Sequence, residues 1–275
     1  MFRNQACVDC WLAPPPKTLM PLRLRLANRL ILCDTQHPID PEQRRREVIP
    51  CGDDQMEAWV FQYGKSPDIV CLKFPGTGGR AEQAGPHPCE IISSEFEVWT
   101  INPPGYGSST GQACVSKMVA TSEAAWLAVE KRAAGRPIVV TGNSLGCMYA
   151  LYVASRYPVA GMLLRNPAPV HQLIKGEYSW WNAGLAARFI ASQVPQAMDA
   201  VANARLCKAP ALFIMSGADR RVPVQYQQMV IDQYQGPHAT FLVPGADHDH
   251  PIPEALVDDY VQSVKAWKAR LPADN

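Results

Sequence analysis

From about residue 47 onward, short β-branched or apolar runs alternate with stretches of helical spacing. Glu47 to Cys51 and Met56 to Tyr63 predict two strands joined by the turn Gly52-Asp53-Asp54. Asp68 to Phe74 is a continuous apolar run, as expected of a strand buried on both faces. Glu97 to Asn102, Ile138 to Thr141, Gly161 to Arg165, Ala211 to Met215 and Thr240 to Val243 continue the strand series. Helices are expected over Val115 to Ala134, after Gly146, over Leu185 to Ala204, over Pro223 to Tyr234 and over Pro253 to Arg270. In the last of these, Leu256, Tyr260, Val264 and Trp267 form one stripe. Strands alternating with helices predict an α/β fold, with a mostly parallel central sheet covered by helices on both faces. No internal repeat or low-complexity tract divides it, and residues 45–275 are read as one domain.

Residues 1–44 have a different pattern and are read as an N-terminal arm. Pro14-Pro15-Pro16 is a stiff spacer. In residues 17–33, Leu19, Leu22, Leu26 and Leu30 recur at helical spacing with Arg23, Arg25 and Arg29 between them. Such a stretch either packs on the domain with its arginines outward or lies on an anionic membrane surface. Arg44-Arg45-Arg46 reads as a solvated lead-in to the first strand. Cys7 and Cys10 have the spacing of a redox pair or half a zinc site, but lack the second Cys pair or the βαβ context either role needs, and read as ordinary thiols.

Composition narrows the class. A hydrophobic fraction of 47% in 275 residues suffices for a substantial core. A net charge of +1 argues against nucleic acid as a partner. Nine cysteines, an odd number without a repeating framework, suit free thiols in a reducing compartment. The first ten residues lack the apolar core of a signal peptide, and no run approaches the ~20 apolar residues of a membrane span. A cytoplasmic location is expected; oligomeric state is not legible.

The candidate chemistry gathers around Gly142-Asn143-Ser144-Leu145-Gly146. A G-x-S-x-G string is weak evidence in a chain with 18 glycines; its position between a β-branched run and a helical one makes it specific. Gly142 and Gly146 lie where strand and helix backbones crowd together, and the apex lifts the Ser144 hydroxyl clear of the sheet beside the Leu145 N–H. Functional groups of a parallel sheet collect at the carboxyl ends of its strands. Those ends carry Gly76-Thr77, Ser144, Asp219 and His248. Serine needs an adjacent base to act as a nucleophile; His248 can take its proton and Asp219 can hold the imidazole tautomer. Asp219 can also be read as a helix cap ahead of Val222-Pro223, and His250 competes with His248 within Asp247-His248-Asp249-His250. That tract does not complete a zinc-hydrolase string, because Ile252 stands where an aspartate is needed, and no metal is expected.

Together with Asn102-Pro103-Pro104-Gly105-Tyr106-Gly107-Ser108-Ser109, Ser216-Gly217-Ala218-Asp219 and Pro244-Gly245-Ala246-Asp247-His248, these residues resemble an α/β-hydrolase over roughly residues 45 to 270. The resemblance implies a single-domain α/β-hydrolase fold with a short lid insertion at about 167–207. It implies Ser144 as nucleophile, Asp219 as acid and His248 as base. It also implies an oxyanion hole from the N–H of Leu145 and one near Thr77, with Gly76 and Tyr106 as candidate substrate contacts beside it. The usual His-Gly of that loop is Pro75-Gly76 here. Trp180 and Trp181, in the insertion, either wall an acyl groove or anchor the lid to the core. The modest insertion is similar to depalmitoylase-like and carboxylesterase-like branches of the family.

The expectation is a cofactor-independent serine hydrolase acting on a small-molecule or acylated carboxylic ester or thioester. The alternatives are a peptidase or amidase on the same fold, or a non-catalytic binding module.

Overall fold

The computed structural model describes residues 44–177 and 185–272. The amphipathic stretch 17–33, Cys7, Cys10, Trp180 and Trp181 lie outside the described residues.

Eight strands form one sheet: β1 (Arg45–Cys51), β2 (Asp54–Tyr63), β3 (Ile69–Phe74), β4 (Phe96–Asn102), β5 (Ile138–Asn143), β6 (Gly161–Arg165), β7 (Ala211–Ser216) and β8 (His238–Val243). Their spatial order is β1-β2-β4-β3-β5-β6-β7-β8. β1 and β2 are a hairpin in which Cys51 faces Asp54, and β2 alone runs against the remainder. The β-branched content of the central strands is matched by burial, since every residue of β4 and β7 is covered. The edge strand β8 alternates between exposed and half-buried positions.

Side chains alternate across the pleat and build two cores. Val70, Leu72 and Phe74 of β3, Val140 of β5, Leu164 of β6 and Phe213 of β7 point to one face. Cys71, Val139, Leu163 and Ile214 point to the other. Helices α1 (Cys89–Ile92) and α8 (Val257–Lys268) cover the second face, where Tyr260, Val264 and Trp267 of the expected stripe are buried. On the first face lie α2 (Met118–Ala133) and α3 (Gly146–Ala154), the latter buried from Gly146 through Val153. A helix apolar on every side belongs in the interior, and α3 carries the elbow into it.

Between β6 and β7 run α4 (Val170–Glu177), α5 (Leu185–Ala191) and α6 (Ala200–Ala204). The single helix expected over Leu185 to Ala204 is thus broken. Pro195 has no N–H to continue it, and Asp199 starts a new helix by accepting from the N–H groups of Val201 and Ala202. Helix α7 (Val224–Ile231) follows β7. The helix expected from Val115 begins as a 3-10 turn at Val115–Lys117, becomes α2 at Met118, and ends at Ala134 in the left-handed region. No helix of the described residues is long and apolar enough to cross a membrane. Cys51, Cys71, Cys89, Cys114, Cys147 and Cys207 are free and buried.

Candidate active site

The turn between β5 and α3 places the backbone strain on the serine. Ser144 has φ +53°, a conformation a non-glycine residue rarely adopts. Gly142 and Gly146 serve a different need, close approach. A Cβ on Gly146 would lie 2.1 Å from the Phe74 carbonyl oxygen, and one on Gly142 would lie 2.7 Å from the Gly146 carbonyl carbon. The Ser144 N–H donates to the Arg165 carbonyl at 2.8 Å, which hangs the elbow from the end of β6. Leu145 stands at the start of α3, where amides have no acceptor within the helix. Cys147, one turn on, is fully buried; its thiol faces the carbonyls of Gly142 and Arg165 at 3.3 Å, and burial pushes its pKa up. It behaves as a packed apolar residue.

Asp219 lies just past β7 and His248 just past β8, both 5% exposed. His248 Nδ1 and Asp219 Oδ2 are 2.7 Å apart. The carboxylate only accepts, so this bond places the proton on Nδ1 and leaves Nε2 with its lone pair. The other carboxylate oxygen accepts from the N–H groups of Arg221 at 2.9 Å and Val222 at 2.8 Å, and Gln227 Nε2 reaches Oδ2 at 3.2 Å. The carboxylate thus closes its own turn and meets the histidine at once, but it caps no helix, since the helix at Val224–Ile231 starts from Pro223 without a side-chain cap. His250 is exposed, and its Nδ1 accepts from the Asp247 N–H at 3.1 Å. The remaining acids of that tract are paired with arginines. Asp247 takes Arg220 Nε at 2.8 Å and Asp249 takes Arg221 at 2.8 Å. The N–H groups of Arg220 and His248 and the Arg220 side chain hold the Asp247 carboxyl well below its usual range.

The loop after β3 approaches the elbow through Gly76. A Cβ there would lie 3.1 Å from the Asn143 carbonyl oxygen and 3.4 Å from Ser144 Cβ. Thr77 is exposed on the turn closed by the Gly79 N–H and the Gly76 carbonyl at 2.9 Å, with Gly78 at φ +88°. Tyr106 is 4% exposed and walls a narrow hollow with Pro75, Gly76, Gly79, Pro103, Leu145 and Tyr149.

A buried polar network joins these two loops; Asn102 and Ser108 stand in one of the quoted motifs, but nothing in the sequence pointed to their partners Glu57 and Glu82. Glu57 of β2, Glu82 and Asn102 are all under 5% exposed. Asn102 Nδ2 donates to Glu57 at 2.8 Å and to Glu82 at 2.7 Å, while its Oδ1 accepts the Ala81 N–H at 2.9 Å. Glu57 also accepts from Arg46 Nε at 2.7 Å and the Ser108 N–H at 2.9 Å. Arg80 pairs with Glu82 at 2.6 Å. Burial would raise the Glu57 pKa, but Ser108, Asn102 and Arg46 outweigh it and hold the carboxyl below its usual value. Gly107, at φ +55°, leaves room for this cluster; a Cβ there would lie 2.2 Å from Asn102 Nδ2. Arg45 and Arg46, expected as a solvated lead-in, are β1 residues whose guanidinium groups reach Glu97 and Glu57. Both side chains stay about half exposed, as expected, and Arg45 also pairs with Glu47 at 2.7 Å; only the contacts with Glu57 and Glu97 lie beyond what a charge run reveals.

Comparison with known proteins agrees with this architecture. A family model described as "alpha/beta hydrolase fold" matches residues 82–206. The alpha/beta hydrolase domain-containing protein 17B of Homo sapiens is 24% identical over 226 residues, covering 80% of this chain and 68% of that relative. Among solved structures, a Pyrococcus furiosus esterase superposes with a TM-score of 0.64 at 13% identity, covering 87% of this chain and 98% of that one. The acylaminoacyl peptidase of Pyrococcus horikoshii superposes with a TM-score of 0.61 at 13% identity, over 85% of this chain and 42% of the peptidase. Its sheet order, its matched family model and these similarities agree on an α/β-hydrolase fold for the chain.

Proposed function

We propose that the chain is a serine hydrolase that cleaves a carboxylic ester or thioester through an acyl-enzyme on Ser144. The observation that carries this reading is the 2.7 Å bond between buried Asp219 and His248 at the same sheet edge as the strained Ser144. A buried carboxylate–imidazole pair beside a serine elbow suits proton transfer, and a plain binding module has no use for it.

In this mechanism His248 Nε2 takes the hydroxyl proton as Ser144 Oγ forms a bond to the substrate carbonyl carbon. The carbonyl oxygen gains the negative charge, facing the Leu145 N–H and a second N–H near Thr77. Collapse breaks the bond to the leaving oxygen or sulfur, which receives the proton from His248. Water then repeats the cycle, adding to the acyl carbon and giving its proton to His248 before the acid departs and Ser144 is restored. Asp219 keeps the imidazole in the tautomer that leaves Nε2 basic and stabilises the cation between the two steps. Each N–H aimed at the oxyanion is worth about 2.7–4 kcal/mol in the transition state.

Labelling with a fluorophosphonate probe tests the reading. The wild-type protein is expected to label, and Ser144→Ala and His248→Ala to lose the label while staying folded. Full labelling of Ser144→Ala would overturn it. A panel of matched esters, thioesters and aminoacyl amides then separates the hydrolase proposed here from a peptidase, because an amine leaving group demands protonation where a thiolate does not.

A further inference from the structure

We infer that Asn166 is the positioning residue that sets His248 against Ser144. The inference rests on the serine-hydrolase reading above. Asn166 follows the last residue of β6, is fully buried, and has φ +50°. Asparagine is one of the few side-chain-bearing residues that enter this region readily, so the backbone constraint and the side-chain chemistry are met together.

Both ends of its amide are engaged with the acid–base side of the site. Oδ1 accepts the Ser216 N–H at 2.9 Å, at the end of the strand that delivers Asp219. Nδ2 donates to the carbonyl of His248 itself, also at 2.9 Å. The paired ladder between β6 and β7 ends at Arg165 and Ile214, and the Asn166 N–H adds a bond to the Ile214 carbonyl at 2.8 Å. Where the β6 backbone turns away, the side chain continues its hydrogen bonding to β7 and from there reaches the loop after β8.

The peptide unit before it holds the nucleophile. The Arg165 carbonyl, bonded to the Asn166 nitrogen, accepts the Ser144 N–H at 2.8 Å. The main chains of nucleophile and base are thus fastened to the same dipeptide, one on each side of a planar peptide bond. The Arg165 guanidinium also donates to the His250 carbonyl, two residues past the base. Proton transfer from Ser144 requires an O···N approach of about 2.6–3.2 Å, and a 1 Å misplacement can cost about 10²-fold in rate. No group of Asn166 needs to touch substrate for it to set that approach.

Two substitutions separate positioning from general stability. Asn166→Gly keeps the backbone conformation at low strain and removes both side-chain bonds. Asn166→Asp keeps the acceptor for Ser216 but sets an acceptor against the His248 carbonyl. Each is assayed for Tm, for the rate of fluorophosphonate labelling per folded molecule, and for kcat and KM on an ester. The expected result is a fall in labelling rate and kcat of about 10²-fold with KM within about threefold of wild type. Wild-type labelling per folded molecule in either folded variant would overturn the positioning role and leave the serine-hydrolase reading standing. Activity lost only in proportion to the folded fraction would also overturn it. A wild-type protein that fails to label, or a Ser144→Ala variant that labels fully, would overturn the reading beneath it.

Discussion

Asp219 and His248 are held by turn N–H groups and by one neutral amide, Asn166, whereas the loops facing them across Ser144 are held by charges from distant segments. Asp219 is oriented by the N–H groups two and three residues ahead of it, and Asp247 caps the N–H of His248 next to it. On the opposite side, Asn102 of β4 joins Glu57 of β2 to Glu82 of the loop after β3, with Arg46 of β1 closing the outer edge. One side is a set of turns tied together by the neutral Asn166 amide; the other is an ionic cluster assembled only when β1, β2 and β4 have paired. The two should therefore fail differently, one in chemistry and the other in folding.

The sharpest test on the first side is Asp219→Asn. The remaining carbonyl oxygen can still accept from Arg221 and Val222, so the turn should survive. Its NH₂ would meet His248 Nδ1 as a donor, which forces the proton onto Nε2 and removes the base. Turnover is expected to fall about 10⁴-fold, some 5 kcal/mol in the barrier, with Tm little changed. A variant within tenfold of wild type would mean that the pair at 2.7 Å does not serve the chemistry.

This contrast also explains how far the sequence could be read. β6 was expected over Gly161 to Arg165 and is found there, and the alternation of Val70, Leu72 and Phe74 with Cys71 matches the two cores. Ser144, Asp219 and His248 stood out because each ends a strand inside a short motif, so their neighbours in space include their neighbours in sequence. Glu57 carried no such mark. It sits in Met56-Glu57-Ala58, ordinary for a strand, and its meaning comes from Asn102 on a different strand. Asn166 was invisible for the same reason: nothing nearby in sequence announces that its amide meets Ser216 and His248. Motif and spacing left His250 open; the contact with Asp219 is made by His248.

Breaking the second side should affect folding first. Asn102→Ala removes the donor that Glu57 and Glu82 share and leaves two buried carboxylates facing each other. The loss is expected to be about 3–5 kcal/mol in unfolding free energy, read from the urea midpoint at constant m. Because Asn102 Oδ1 also holds the Ala81 N–H, any folded fraction should label more slowly at Ser144. A loss below about 1 kcal/mol would mean the cluster is solvated rather than structural.

The far end of the loop after β3 supplies a pH dependence. His87 Nε2 lies 2.5 Å from the Tyr260 hydroxyl, and burial, with Lys73 and Arg165 nearby, pushes its pKa down to about 4. The histidine is neutral in the fold and accepts from Tyr260. Between its ordinary value near 6.5 and about 4 the unfolded chain binds more protons, so stability should fall as pH drops through that window. The full contribution is at most about 3 kcal/mol. Urea midpoints at pH 7 and pH 4.5 should converge in His87→Gln relative to wild type; equal pH slopes in both proteins would reject a buried neutral His87.

The smallest effect is expected where the local side meets solvent. Arg220 grips Asp247 through two guanidinium nitrogens, but its side chain is 87% exposed. An exposed ion pair contributes about 1 kcal/mol or less, and salt screens it. The N–H groups of Arg220 and His248 still donate to Asp247 when the guanidinium is gone, at 3.0 and 2.8 Å. Arg220→Ala should therefore lower stability by less than about 1 kcal/mol and leave the Ser144 labelling rate within about twofold of wild type. A larger drop, abolished in 0.5 M salt for the wild type as well, would show that the base is held by charge rather than by the turn itself. That result would erase the distinction between the two sides of the site, because His248 would then depend on an ionic cluster just as the loops beside Asn102 do.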